Sequence, residues 1–221
     1  MGEWQVERCR GSAREFHARE IAAVRDPTVW VFEPESSALA LGSTQPSDDV
    51  DVGLATELGI EVIRRHSGGG AVLLEPAGCV WIDVVLPSTD RRWTDDVSVA
   101  PLWLGQVWAG AIGRTGRRDV SVHQGPMRSD PRSAVVCFAG LGPGEVLVGG
   151  KSVGISQRRT RTAARFQTVA LLEWDWSAQQ RLLAPGLHRV GAGDDEPSVT
   201  PLEGLTIDEL VEAFLEELRR T

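Results

Sequence analysis

The sequence predicts an α+β fold, read as one domain over residues 1–221. Three observations lead there. Short apolar, β-branched runs recur along the chain, Val29-Trp30-Val31-Phe32, Ala38-Leu39-Ala40-Leu41 and Cys79 to Val85 among them, each set off by Gly, Pro or Asp. Helical periodicity is confined to separated stretches. It is clearest over Thr206 to Arg219, where Ile207, Leu210, Val211, Phe214, Leu215 and Leu218 fall on one face. No internal repeat and no linker between two cores interrupts the 221 residues.

Composition sets the outer bounds. Hydrophobic residues make up 42% of the chain and charged residues 24%, enough for a proper core. A formal net charge of -8 argues against general binding of nucleic acid, which needs a basic surface to displace counterions. The three cysteines, Cys9, Cys79 and Cys137, form no CxxC pair, so neither a disulfide framework nor a metal site is expected. A reducing, cytoplasmic setting follows as the default. No apolar run approaches membrane-spanning length, and the charged stretch from Trp4 to Glu20 is unlike a signal peptide.

Ser12 to Val24 predicts a helix, with Ser12 as N-cap and Glu15 three residues on. Asp26-Pro27 stops it before the Val29–Phe32 and Ala38–Leu41 strands. Asp51 to Leu58 predicts a short helix closed by Gly59. Glu61 to Arg64 predicts a strand that runs into Arg65-His66-Ser67-Gly68-Gly69-Gly70, and Ala71 to Leu74 predicts the next. Three glycines between strands allow either a structural bulge or the close approach of a ligand. After the Cys79 to Val85 strand, a helix is expected over Val97 to Ile112, with Trp103 and Trp108 as packing residues. Val120 to His123, Val135 to Phe138 and Phe166 to Trp174 predict strands, and Ser177 to Leu183 a helix stopped by Pro185-Gly186. Gly191 to Ser198 reads as a loose acidic loop.

Between them lies Glu145-Val146-Leu147-Val148-Gly149-Gly150-Lys151-Ser152-Val153-Gly154-Ile155-Ser156. Two strand-like runs joined by Gly149-Gly150 predict a hairpin with a primed turn, both glycines at positive φ. Lys151 then stands at the mouth of the second strand, where it could equally be a solvated strand-end charge. Gly150-Lys151-Ser152 is similar to the end of a phosphate-binding P-loop. That loop's first glycine would fall at Glu145, however, and Val153 and Ile155 argue for a strand where the loop needs a helix.

Taken together, Arg64-Arg65-His66-Ser67-Gly68-Gly69-Gly70-Ala71-Val72, the lysine hairpin and Gly154-Ile155-Ser156-Gln157-Arg158-Arg159 resemble the lipoate–protein ligase and octanoyltransferase family. The resemblance spans roughly Trp4 to Leu183. It implies a mixed or antiparallel sheet flanked by helices, of the kind shared with biotin–protein ligase and class II synthetases. It implies attachment of lipoate or octanoate to a lysine of an acidic lipoyl-carrier domain. It also implies roles: Lys151 at the activated acyl group, and Ser67, Gly68, Gly69, Gly70 and Ala71 covering the acyl or acyl-phosphate part. Arg64, Arg65, Gly154, Ser156 and Gln167 are expected beside them, with Arg158, Arg159, Arg161 and Arg165 steering the carrier. The extra C-terminal domain of some ligases is not expected.

Two chemistries occur in such proteins. Ligases activate lipoate with ATP and Mg²⁺ as an adenylate; transferases take octanoyl from an acyl carrier protein or another thioester donor, some through a cysteine. Arg132 to Phe138 is similar to the segment that holds that cysteine, which makes Cys137 the candidate nucleophile, fourteen residues before Lys151. A thiol beside an ammonium has more thiolate, so Lys151 would activate it if the two meet. As a lone residue Cys137 could also be a small core hydrophobe. Many members carry His-Gly where this chain has Phe166-Gln167-Thr168, a departure that favours octanoyl transfer between carriers over ATP chemistry and leaves a non-catalytic acyl-binding relative as the remaining alternative.

Overall fold

The computed structural model describes residues 4–21, 24–187 and 196–221. The strands are β1 Gln5–Gly11, β2 Thr28–Pro34, β3 Ala38–Leu41, β4 Glu61–Arg64, β5 Val72–Leu74, β6 Cys79–Pro87, β7 Val120–Val122, β8 Val146–Val148, β9 Gly150–Arg159 and β10 Ala163–Leu171. The helices are α1 Ala13–Ala18, α2 Val52–Glu57, α3 Leu102–Arg114, α4 Trp176–Arg181 and α5 Ile207–Leu218. Seven strands form one sheet in the order β1-β2-β6-β10-β9-β8-β7; the other three form a small sheet, β4-β3-β5. In the large sheet β1 runs parallel to β2 and the remaining pairs are antiparallel. The fold is therefore α+β with a mixed sheet flanked by helices, as expected.

The period of two along each strand sorts the core into two layers. Val29, Val31, Val80, Ile82, Val84, Leu86, Ala164 and Phe166 face one way, onto α3 and α5. There Trp108 packs at a tilt against Phe214, 4.5 Å between ring centroids, and Leu210, Val211 and Leu218 are buried beside them. Trp30, Phe32, Trp81 and Val85 face the other way, onto α1 and the small sheet. This second layer holds the site, because polar side chains interrupt it.

Local rules account for the helix starts. Ser12 and Glu15 form the expected capping box, and Thr206 and Glu209 form another on α5. Gly59, at φ +69°, follows α2 as foreseen.

Four expectations need correction. α1 ends at Ala18 rather than Val24, because backbone carbonyls at its end are taken by Arg165. α3 begins at Leu102 rather than Val97: Asp96 accepts the Ser98 N–H to form a turn, and Pro101, which has no N–H to donate, sits just before the helix. The strand foreseen over Val135 to Phe138 is a single bridge from Val136 to Ala71 followed by a 3-10 turn, Cys137–Ala139. The hairpin turn has only Gly149 at positive φ, +81°. Gly150 is instead small because a Cβ there would meet the Ser198 carbonyl oxygen at 2.8 Å. β1 was not foreseen; it is a charged, exposed edge strand with no apolar alternation to betray it. The loose acidic loop lies outside the described residues over 191–195. Among the described residues no helix is long and apolar enough to cross a membrane.

Candidate active site

Register across the large sheet lays out a floor. On β6, β10 and β9, Trp81, Val169 and Gly154 form one row, and Asp83, Gln167 and Ser156 the next. Val72 and Leu74 of the small sheet, His17 of α1, and the turn carrying Cys137 and Phe138 close over it. Between them is a narrow cavity of about 50 Å³ that opens to the surface and is lined mainly by apolar side chains. Arg65, Glu145 and Ile155 complete its wall. Gly154 is required by a close approach: a Cβ there would stand 3.2 Å from the Phe138 ring.

Lys151 is buried and bound on every side. Its Nζ donates to the Gly140 carbonyl at 2.8 Å and the Cys137 carbonyl at 3.2 Å, and pairs with Glu145 Oε2 at 2.8 Å. It also lies over the Phe138 ring, 4.8 Å from the centroid. Glu145 in turn accepts the Gly142 and Ile155 N–H groups. The ammonium thus holds the 137–140 turn in shape from beneath; it is not a solvated strand-end charge. Glu145 was missed because it reads as the polar start of an apolar strand.

The cation at the Cys137 sulfur is Arg65, not Lys151. Arg65 Nη2 donates to Sγ at 3.3 Å and to the Gly70 carbonyl at 2.9 Å, while Nη1 donates to Ser67 Oγ at 3.1 Å. Its Nε–H is buried without a partner. Of the three thiols, Cys137 is the one in the cavity wall. Cys79 is fully buried and burial pushes it up to about 12; Cys9 is also raised by burial.

The glycine triplet divides its work. Gly69 takes φ +91° beside Arg65. Gly70 is pressed on another backbone: a Cβ would meet Val136 N at 2.3 Å. Ala71 and the cysteine segment are tied by Ala71 N–H to the Val135 carbonyl and Cys137 N–H to the Ala71 carbonyl, both 2.9 Å. Gly68 alone faces open space, with nothing within 4 Å. Gly70→Ala is therefore expected to cost about 1–3 kcal/mol by overpacking, and Gly68→Ala less than about 0.5 kcal/mol. Thermal unfolding of the two variants checks this; equal costs would contradict it.

Other expected residues lie elsewhere. Arg64 donates to the Gly42 and Gln45 carbonyls at 2.7 and 2.6 Å, pinning that loop, and does not reach the cavity. Arg165, expected to steer a carrier, is 1% exposed. It pairs with Asp83 at 2.6 Å and donates to the carbonyls of Phe16, His17 and Arg19, satisfying the end of α1. Arg159 donates to the Thr94 carbonyl at 2.5 Å and covers the Trp93 ring. Arg161 is exposed in the turn before β10, and Arg158 is half-buried with Nη1 unpartnered.

Asp83 and His17 were missed by the sequence reading. Asp83 is fully buried and collects donors from Arg165, the Trp81 indole at 2.8 Å and Gln167 Nε2 at 3.4 Å. Burial pushes its carboxyl up, and those donors pull it back. A lone acid in the apolar run of β6 was the available signal. His17 meets Gln167 Nε2 through Nδ1 at 3.2 Å. Burial, helped by Arg165, Arg65 and His66, lowers its pKa to about 3. The unfolded chain binds a proton here from pH 6.5 downward that the folded chain does not. Stability from this residue is full above that value and falls as the pH drops toward 3. Between pH 7 and 5, His17→Phe is expected to lose about 2 kcal/mol less stability than the wild type in urea unfolding; identical losses would contradict the assignment.

Comparison with known proteins identifies the fold and the family. None of the curated proteins matches the chain. A lipoate protein ligase of Thermoplasma acidophilum, described as bipartite and studied with its E2 lipoyl domain, superposes with a TM-score of 0.73 at 17% identity, covering 99% of this chain and 82% of that one. A putative lipoate protein ligase from the same organism, with bound lipoic acid, gives 0.71 at 15% identity over 99% and 84%. A lipoate-protein ligase A bound with ATP gives 0.65 at 17% identity over 99% and 84%. At these identities the likeness is one of fold. The lipoyl protein ligase A/B catalytic domain matches residues 13–219, nearly the whole sequence, and the chain belongs to that family.

Proposed function

We propose that this chain attaches a lipoyl or octanoyl group to a lysine of a carrier domain, and that the acyl group passes through a thioester on Cys137. The observation that carries the reading is the Cys137 sulfur in the cavity wall with the Arg65 guanidinium 3.3 Å away. A cation at the sulfur supports its use as a nucleophile. The Cys137 sulfur attacks the donor's acyl thioester; the C–S bond to the donor breaks, and the donor leaves as a thiol carrying the proton. The amine of the carrier lysine then attacks the Cys137 thioester, forming the amide and restoring the Cys137 thiol. The unpaired Arg65 Nε–H is available to the acyl oxygen where negative charge develops. Lys151 and Glu145 fix the turn that presents the sulfur. Val72, Leu74, Trp81 and Val169 supply apolar wall for the acyl chain. The relative with bound lipoic acid and the one studied with its E2 lipoyl domain support this occupant and this partner.

The chain's charge of -8 would repel an acidic carrier or acyl carrier protein as a whole. A local basic patch must therefore guide docking, and Arg158 and Arg161, with Arg159 beside them, are the proposed patch.

A second reading is activation of lipoate by ATP and Mg²⁺, favoured by the ATP-bound relative and by the open space above Gly68. One assay separates the two. The enzyme and an apo lipoyl domain are given either an octanoyl thioester of acyl carrier protein or lipoate with ATP and Mg²⁺. Acylation in the first arm without pyrophosphate release in the second supports the thioester route. Pyrophosphate release with acylation only in the second arm replaces it with the adenylate route.

A further inference from the structure

His17 carries a hydrogen-bonding group that the fold leaves unused. The residue is 7% exposed, lines the cavity and packs at a tilt against Trp81, 4.8 Å between ring centroids. Nε2 is buried with no partner. An unmet polar atom at such a place is costly unless something that enters the cavity meets it.

The network fixes what Nε2 can do. The Gln167 amide nitrogen faces the Asp83 carboxylate at 3.4 Å and His17 Nδ1 at 3.2 Å. An amide nitrogen only donates, so Nδ1 accepts and the ring proton of the neutral imidazole sits on Nε2. Asp83 is held in turn by Arg165 and the Trp81 indole, so the chain of bonds has one direction. Two residues of the cavity wall therefore carry unpaired buried donors, Nε2–H of His17 and Nε–H of Arg65. Among the described residues no side-chain oxygen of its wall is both fully buried and unpaired. An occupant that satisfies both donors brings two acceptors. One acceptor, the acyl oxygen, belongs at Arg65 beside the Cys137 sulfur. The second must sit on the body of the acyl chain.

We propose that His17 Nε2–H donates to an acceptor on the body of the acyl chain, the ring sulfur of a lipoyl group, and that it makes the pocket favour lipoyl over the plain octanoyl chain. This deepens the acyl-pocket reading above and rests on it. Sulfur in such a ring accepts but does not donate, and it is soft enough to lie beside the Trp81 ring. A plain alkyl chain still fills the apolar wall and leaves Nε2–H buried and unpaired. The sulfur contact therefore strengthens lipoyl binding about tenfold relative to octanoyl. Asp83 and Gln167 are positioning residues for this donor.

The test is calorimetric titration of the purified protein with lipoate and with octanoate, for the wild type and for His17→Phe, which keeps a flat ring of similar size. The affinity ratio of lipoate to octanoate is expected to fall about tenfold in the variant, through weaker lipoate binding. A second measurement needs no variant to fold. In long-range ¹H–¹⁵N spectra of the wild type, His17 is expected as the Nε2–H tautomer, with its Nε2 resonance moved by lipoate and not by octanoate. An unchanged ratio, or an Nε2 resonance that responds equally to both ligands, overturns the role of His17 and leaves the acyl pocket standing. Failure of the wild type to bind either ligand overturns the acyl pocket itself, and this inference with it.

Discussion

Lys151→Ala is expected to destabilise the protein by about 3–5 kcal/mol, because it leaves Glu145 as an unpaired buried charge. The pair is almost fully enclosed, with side-chain exposures of 4% and 6%. The variant also removes donors from the Cys137 and Gly140 carbonyls, which then lack their buried partner. A fall of about 10 °C in Tm is a reasonable scale for a chain of this size. Adding Glu145→Gln to Lys151→Met should recover much of the loss, since a neutral amide beside an apolar chain removes the stranded charge. A Tm for Lys151→Ala within a degree or two of the wild type would mean that the ion pair is not the anchor of the 137–140 turn. The same result would return Lys151 to the role the family resemblance suggests, an ammonium free to meet the acyl group.

Cys137→Ser is expected to lower acyl transfer on the order of a thousandfold or more, with the fold intact. The hydroxyl is nearly isosteric with the thiol, and the backbone N–H of residue 137 still donates to the Ala71 carbonyl. Stability should therefore change by less than about 1 kcal/mol. Cys9→Ser and Cys79→Ser should leave transfer near the wild-type rate, since neither sulfur reaches the cavity. Initial rates of carrier acylation with an octanoyl thioester donor, measured alongside thermal unfolding, separate loss of chemistry from loss of structure. Undiminished transfer by Cys137→Ser would leave Cys137 as a wall residue.

Local signals made much of the fold legible. The capping box at Ser12, the glycine after α2 and the apolar stripe of α5 depend on neighbours a few residues away, and the sequence alone predicts each. The edge strand β1 was not, because its partner on one side is water and charged residues serve it as well as apolar ones. The β-branched residues of the cysteine segment predict a strand; two carbonyls drawn to Lys151 turn it into a 3-10 turn, and that pull comes from a residue fourteen positions after Cys137.

The site was legible as motifs but not as contacts. The glycine triplet and Lys151 stood out, yet their surroundings differ from what the motif suggested. Gly70 is small to admit the Val135–Val136 backbone, and Lys151 is closed in by Glu145. Arg165 looked like part of a basic loop and is instead the partner of Asp83, since β10 crosses beside β6 and brings residues 82 positions apart into contact. His17 gave no signal at all. A histidine in the second turn of an amphipathic helix is unremarkable until Gln167 and the end of the cavity close around it.

Intact-mass analysis of the wild-type protein after incubation with an octanoyl thioester of acyl carrier protein tests the acyl-enzyme at Cys137. One octanoyl increment on the enzyme is expected, released by hydroxylamine, absent in Cys137→Ser and present in Cys9→Ser and Cys79→Ser. Efficient acylation of the lipoyl domain with no increment on the enzyme at any time, or an increment that persists in Cys137→Ser, would contradict it.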